Sequence, residues 1–180
     1  GASLRYKGFP YELRNIEGEI IVDDANLEVK RIFATDGPTT VEVHGKIASI
    51  TRDADVDLTI DAKRLPLDGR LKAAIGDDAR KVWDLFSPSG EVDVRWQLRK
   101  EAGKEIVHSS RTRVRGGSAT YKDVPLQVTD LNGEIEMEPG RYLLHHLIGK
   151  SRGAEVEIHG SVTDAEVALH VDGRGLQLDD

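Results

Sequence analysis

Histidine and acidic residues are the side chains whose spacing could do chemistry. His44 and His159 each follow a glutamate by two positions, in the phrases "VEVHG" and "VEIHG". A His–Glu pair could bind a metal ion or transfer protons. Both histidines share strand parity with charged residues, however, and no third ligand stands at a suitable spacing. We therefore favour an outward-facing position on the polar side of a strand for each.

The remaining candidate sites are weaker. His145 and His146 are adjacent, which predicts opposite faces of a strand and excludes a shared metal ion. Asp53, Asp55 and Asp57 resemble the start of a calcium loop, but the glycine and distant glutamate of that loop are missing. The phrase "RVRGGSAT" lacks the lysine and following helix of a phosphate-binding loop, and no Ser-His-Asp signature occurs. We predict no enzyme, no catalytic residue, no metal site and no cofactor.

Composition predicts a folded chain that is not built to bind nucleic acid. Of the 180 residues, 38% are hydrophobic and 32% charged, which is enough apolar material for a packed core. The net charge of −7 argues against binding to a phosphate backbone. The absence of cysteine excludes disulfides and thiolate chemistry. The apolar runs are far shorter than the roughly 18 residues that a membrane-spanning helix needs.

An internal repeat is the strongest signal in the sequence. Tyr6–Gly45 aligns with Tyr121–Gly160 at an offset of 115 (121 − 6), with 10 of 40 positions identical. Residues 56–68 then match residues 167–179 at an offset of 111 (167 − 56), with 6 of 13 positions identical. Self-similarity at a fixed period is typical of a repeat array.

The repeat predicts the domain organisation. We expect a first repeat over 6–120 and an incomplete second repeat over 121–180, joined in one continuous sheet. Because repeat arrays normally end in modified caps, and the second copy stops in mid-unit, we also expect the sequence to be an excerpt of a longer protein.

Period-two alternation predicts a mainly β fold with a long antiparallel sheet, about seven or eight strands per repeat. One segment breaks this pattern and predicts one α-helix per repeat, near 69–86. Asp68 can cap its start and Ser87 follows its end. Gly76 weakens its middle by roughly 1 kcal/mol, so a break into two helices is an open alternative. Its predicted apolar stripe is Leu71, Ile75, Ala79, Val82 and Phe86.

Alternation also predicts that one face of the sheet is apolar. One helix cannot cover a sheet of a dozen strands, so the sheet must close, fold on itself or leave apolar surface for a ligand. The residues predicted to line this face are Ile16, Gly18, Ile20, Val22, Val41, Val43, Gly45, Val56, Leu58, Ile60, Val92, Val94, Trp96, Leu98, Leu131, Gly133, Ile135, Met137, Val156, Ile158, Gly160, Val167, Leu169 and Val171.

Four of these residues are glycines, which are unusual in the interior of a strand. Two interpretations stay open and are compatible. The glycines either provide bends or bulges that curve the sheet, or they leave space for an apolar guest. On the second interpretation, Gly45→Trp or Gly160→Trp would obstruct the guest in a protein that still folds.

The repeated phrases carry a family resemblance. "Y-K-x-x-P…N-x-x-G-E-I", "V-E-V-H-G", "L-x-I-D-A-x-x-L-P-L-D", a helix and "F-S-P-S-G-E-V-D-V" resemble the repeats of AsmA-like proteins, which belong with TamB-type and YhdP-type proteins. The resemblance implies a curled, taco-like β-groove with an apolar interior. It also implies an envelope protein that is anchored in the inner membrane, crosses the periplasm and carries phospholipid towards the outer membrane.

Two functions from different classes follow. The leading hypothesis is a segment of a periplasmic lipid-transfer protein whose groove shields the acyl chains of a phospholipid or other acyl lipid. Its further partners would be the inner membrane, through an N-terminal anchor missing from this sequence, and outer-membrane components. The alternative is a structural or scaffold β-module with a filled core and no ligand. A hydrolase is a third and weaker hypothesis.

Overall fold

The computed structural model describes residues 4–6, 9–49, 53–123 and 127–174. The chain is mainly β, as the alternation predicts. No helix in these ranges is long and apolar enough to cross a membrane. The elements are β1 (Leu4–Tyr6), β2 (Phe9–Asp23), β3 (Asn26–Asp36), β4 (Thr39–Ala48), β5 (Asp55–Pro66), α1 (Gly69–Ala74), α2 (Asp77–Phe86), β6 (Ser89–Lys100), β7 (Val107–Thr120), β8 (Gln127–Glu138), β9 (Arg141–Ser151), β10 (Ala154–Thr163) and β11 (Val167–Arg174).

The strands form one antiparallel sheet in which each strand pairs with the next along the chain. β2 to β11 make up the main sheet, and the three-residue β1 pairs with the first half of β2. Among the described strands, β11 pairs only with β10, so the sheet is an open layer rather than a closed barrel. The predicted antiparallel sheet is therefore confirmed, whereas its curled shape stays a prediction.

The sequence repeat is also a repeat of the backbone. Adding 115 to the bounds of β3 and β4 gives the bounds of β9 and β10. A register shift on β3, between Val29 and Ile32, lies opposite Gly45. The same shift recurs on β9, between Leu144 and Leu147. Both repeats therefore carry a β-bulge, a feature that can bend a strand, at equivalent places.

Each 115-residue period holds fewer strands than expected. Between β2 and β7 there are six strands rather than seven or eight, because single strands are long. β2 has 15 residues and β7 has 14. These long strands continue through bulges. Because a bulge interrupts the apolar–polar alternation, the sequence pattern places a strand end where the strand in fact continues.

The predicted helix is divided in two at Gly76. Asp68 caps α1 as expected, and Ser87 ends α2 in a left-handed conformation. Because of the break, the residues of α2 that face the sheet differ from those that a continuous helix would place there. Trp83 packs against the core, whereas a continuous helix would have placed Val82 in the stripe with Leu71.

The helices pack on the apolar face, at the end of the sheet where the even-numbered strands begin. Leu71 and Ala74 of α1 are buried there, and α1 contacts β2. The core cluster comprises Tyr11, Val41, Ala62, Leu65, Leu71, Ala74, Val92, Val114, Val128, Leu131, Leu147 and Val156. The helices therefore cover one end of the apolar face.

Removal of the α1 cap is expected to destabilise the protein in a pH-dependent way. Asp68 accepts hydrogen bonds from the amides of Arg70 and Leu71 at 2.9 and 3.0 Å. Burial raises the pKa of Asp68, but these bonds and the Arg70 guanidinium outweigh burial and lower it overall. A carboxyl whose pKa is lowered by folding stabilises the fold above its ordinary pKa, and that stabilisation is lost as pH falls through the folded value.

We expect Asp68→Ala to lower the free energy of unfolding by about 1 kcal/mol at pH 7. The difference from wild type should narrow as the pH falls to about 2. Thermal unfolding at several pH values measures this difference. Asp68→Asn is the matched control, because asparagine caps helices as well as aspartate but does not titrate. A difference between wild type and Asp68→Ala that does not change with pH would contradict the assignment.

Candidate ligand-binding face

Cross-strand pairing places the predicted apolar residues on one face of the sheet. Residues directly opposite each other on antiparallel strands point to the same side. Val43 faces Ile60, which faces Trp96, and the same rows continue across the sheet. The other predicted residues placed in these rows are Gly18, Ile20, Val22, Val41, Gly45, Val56, Leu58, Val92, Val94, Leu98, Leu131, Gly133, Ile135, Met137, Val156, Ile158, Gly160, Val167, Leu169 and Val171.

Ile16 is the one predicted residue whose face the pairing does not fix. It lies inside a register shift between Arg14 and Glu17 and is half-buried. Residues that share the face but were missing from the prediction include Tyr11, Leu65, Leu147 and Val162. Bulges shift the parity beside Tyr11, Leu65 and Leu147, so alternation alone did not assign these three. Val162 continues the alternation of Val156, Ile158 and Gly160, as the sequence indicates.

Beyond the helices, no described helix packs over the apolar face, although Val29 is only 7% exposed between its neighbours there. We call this part the open apolar band, and its residues lie outside the buried core cluster. Ile20 is 49% exposed and Val22 is 64% exposed. The band consists of Ile20, Val22, Leu27, Ile47, Val56, Leu58 and Leu98. It lies across β2 to β6, with one row formed by Val22, Leu27, Ile47 and Val56.

The space beside the glycines at the two equivalent bulges is occupied by the neighbouring strand. A Cβ at Gly45 would lie 2.1 Å from the carbonyl oxygen of Asp57, and one at Gly160 would lie 2.1 Å from that of Ala168. Both glycines also have positive φ, +143° and +142°. The bulge interpretation is therefore favoured. The expectation that a tryptophan fits at either position is wrong, because the neighbouring strand occupies the space.

Polar side chains interrupt the apolar face along β7. His108 lies opposite Leu98, and Ser110 lies opposite Trp96. The His108 ring lies 5.6 Å from that of Trp96, and its Nδ1 is buried without a hydrogen-bond partner in the described part of the chain. Sequence reasoning missed this interruption because β7 is polar at both parities. A signal was nevertheless present in the sequence. Arg111 and its alternating neighbours are charged, so their parity marks the outward face of β7 and assigns the other parity to the apolar face.

The opposite face carries cross-strand ion pairs. Arg95 Nε lies 2.8 Å from Asp61 Oδ1, Arg115 lies 2.7 Å from Asp93, and Arg111 pairs with Glu136. The acidic and basic strands are thus neighbours, and their charges match the register. Exposed pairs of this kind contribute about 0–1 kcal/mol each. This arrangement agrees with a solvated face.

A shallow depression of about 660 Å³ lies on this charged face. Asp61, Arg95, Arg111 and Glu136 are among the residues that line it. Burying an acyl chain there would desolvate these ion pairs, which costs free energy. We therefore do not assign the binding of apolar ligands to this depression.

The histidine positions differ from expectation in one respect. His145 and His146 both lie on the polar face, because the bulge between Leu144 and Leu147 reverses the alternation. His145 Nε2 lies 3.1 Å from Glu136 Oε2, and His146 pairs with Glu157. The prediction that adjacent histidines take opposite faces was wrong.

These contacts change the acidity of both glutamates. The hydrogen bond from His146 lowers the pKa of Glu157. Hydrogen bonds from Arg111 and then His145 lower the pKa of Glu136. Both carboxylates are half-buried at the surface and paired, which is typical of a surface ion-pair network rather than of a buried acid–base site.

The chemistry of the two faces is therefore distinct. In the described part of the chain, no group of three or more histidine, aspartate or glutamate side chains is placed to hold a metal ion. The open apolar band can bind apolar groups without any reaction.

Comparison of the chain with protein-family models, curated proteins and solved structures found no match.

Proposed function

We propose that this chain is a segment of a lipid-transfer protein, in which the open apolar band binds the acyl chains of phospholipid or another acyl lipid. The observation that carries the proposal is that the apolar face extends beyond the two helices. Large side chains on that face are strongly exposed, such as Ile20 at 49% and Val22 at 64%. Exposed apolar surface of this kind often marks a ligand or partner site.

The energetics suit transfer along the band. Each CH₂ group removed from water contributes about 0.8 kcal/mol. Apolar burial has no preferred direction, so a chain could shift along the band at nearly constant free energy. The charged head group would stay in water at the rim. None of these steps needs a reactive side chain.

We further propose that the sheet curls into a groove in the full protein, with one helical unit per repeat. The recurrence of the same bulge opposite Gly45 and Gly160 supports curvature at regular intervals, because bulges bend and twist strands. The resemblance to AsmA-like proteins supports the same shape. On that basis we place the protein in the periplasm of a Gram-negative-type envelope, anchored in the inner membrane, with outer-membrane components as partners.

A specific observation favours a second candidate, a structural β-module with a filled core. Residues from β2 to β10 and α1 already form one buried cluster. The space beside Gly45 and Gly160 is taken by neighbouring strands. A module of this kind would have the same repeat and the same polar face, but no ligand.

Three consecutive residues of β2 provide a matched test. Ile20 and Val22 lie on the apolar face, whereas Ile21 lies opposite Glu28 on the polar face and is 41% exposed. We expect Ile20→Asn with Val22→Asn to weaken lipid binding about tenfold, since roughly two CH₂ contacts are worth about 1.6 kcal/mol. Ile21→Asn should bind lipid like the wild type.

Native mass spectrometry after mild purification measures the bound phospholipid, and a fluorescent apolar dye measures free apolar surface. Bound phospholipid in the wild type and in Ile21→Asn, with loss in the double variant, supports the proposal. A lipid-free wild type that also leaves the dye unbound identifies the structural module instead.

A further inference from the structure

Three histidines cluster on the polar face of the last three strands. His159 on β10 lies directly opposite His170 on β11, with ring centres 5.2 Å apart and planes inclined by 19°. The ring of His146 on β9 lies 6.1 Å from that of His159. This cluster lies outside the open apolar band and plays no part in the proposed function.

The first repeat shows that the cluster is not required by the fold. The residue equivalent to His159 is His44 (159 − 115), and the residue equivalent to His170 is Thr59 (170 − 111). His44 and Thr59 are also directly opposite each other, on β4 and β5. The same backbone position therefore carries a single imidazole in one repeat and a facing pair in the other.

We propose that His159 and His170 form a two-imidazole chelate for a borderline transition-metal ion of the Zn²⁺, Ni²⁺ or Cu²⁺ class. Imidazole nitrogen is a preferred ligand of these ions. With Zn–N bonds of about 2.0–2.1 Å, two imidazoles on one tetrahedral ion have ring centres about 5 Å apart. The observed separation of 5.2 Å matches this requirement, although the rings are stacked and must turn about their side-chain bonds to direct one nitrogen each at the ion.

Two further observations point to a ligand at the pair. Nδ1 of His159 is buried and has no hydrogen-bond partner in the described part of the chain. An unpartnered buried nitrogen is unfavourable, and a bound cation would satisfy it once the ring turns. Glu157 and Asp172 face each other in the next row of the same two strands, so their carboxylates attract a cation to this surface.

The site would be an exchangeable one. Because the described residues place no third side chain at the pair, water would complete the coordination shell. The ion would link β11, the last strand described, to β10.

The test is a titration of the whole chain with Zn²⁺ alone, followed by NMR of the imidazole signals and by amide hydrogen exchange. We expect His170→Thr to weaken Zn²⁺ affinity about tenfold or more. Threonine is the residue that the first repeat carries there, so the fold should tolerate it. Zn²⁺ should slow exchange in β10 and β11 of the wild type, but not in the variant. His44 is the internal control and should respond far less than His159.

The converse substitution keeps the proposal testable if His170→Thr fails to fold. Thr59→His places a second imidazole opposite His44 and should create a second Zn²⁺ site on β4 and β5. Equal Zn²⁺ affinity in the wild type and His170→Thr would overturn the proposal. So would equal responses of His44 and His159 in the wild type, or no gain of binding in Thr59→His.

Discussion

Gly45→Ala is expected to lower the free energy of unfolding by about 3 kcal/mol. The added Cβ would lie 2.1 Å from the backbone oxygen of Asp57, and a backbone atom on the neighbouring strand cannot turn aside as a side chain can. The φ of +143° adds strain for any residue with a Cβ. A strained backbone conformation costs about 1–3 kcal/mol and overpacking costs a similar amount.

Gly160→Ala is expected to show the same loss, because its Cβ would lie 2.1 Å from Ala168 and its φ is +142°. Gly69→Ala is the matched control. No atom lies within 4 Å of a Cβ added at Gly69, and the residue begins a helix. Alanine should therefore be neutral or slightly stabilising there. Chemical denaturation of all three variants measures the differences. A Gly45→Ala variant as stable as the Gly69→Ala variant would show that the bulge is not tightly constrained.

Much of the sheet could be predicted from the sequence because alternation is a local signal. In Val56 to Ile60 and in Val92 to Leu98, every second residue is apolar, and the structure places Leu58 opposite Leu98 and Ile60 opposite Trp96. The repeat added independent support, since two copies of one pattern predict two copies of one set of strands. The cap at Asp68 was predictable for the same reason, because capping depends on a few neighbouring residues.

Features that depend on contacts between distant residues could not be predicted. The bulge opposite Gly160 places both His145 and His146 on the polar face, although nothing in their own sequence marks it. The break at Gly76 brings Trp83 rather than Val82 to the core. How much of the apolar face the helices cover depends on tertiary packing, which the alternation does not encode.

The second large effect concerns β6, where the proposed function predicts lipid contact on one face only. Leu98 belongs to the open apolar band and pairs with Leu58, whereas the preceding residue, Gln97, pairs with Thr59 on the polar face. Both side chains are half-buried. A photoreactive amino acid at either position therefore samples a different face at the same place along the strand. We expect lipid adducts at Leu98 and almost none at Gln97.

Photocrosslinking at these two adjacent positions, in cells that produce the protein, directly tests whether the open apolar band binds lipid. Mass spectrometry of the crosslinked chain identifies the adduct, and circular dichroism of each purified variant checks that it is folded. We expect acyl-lipid adducts at position 98 and none above background at position 97. A folded protein with no lipid at position 98, or with equal amounts at both positions, would contradict the proposed lipid-binding role of the band.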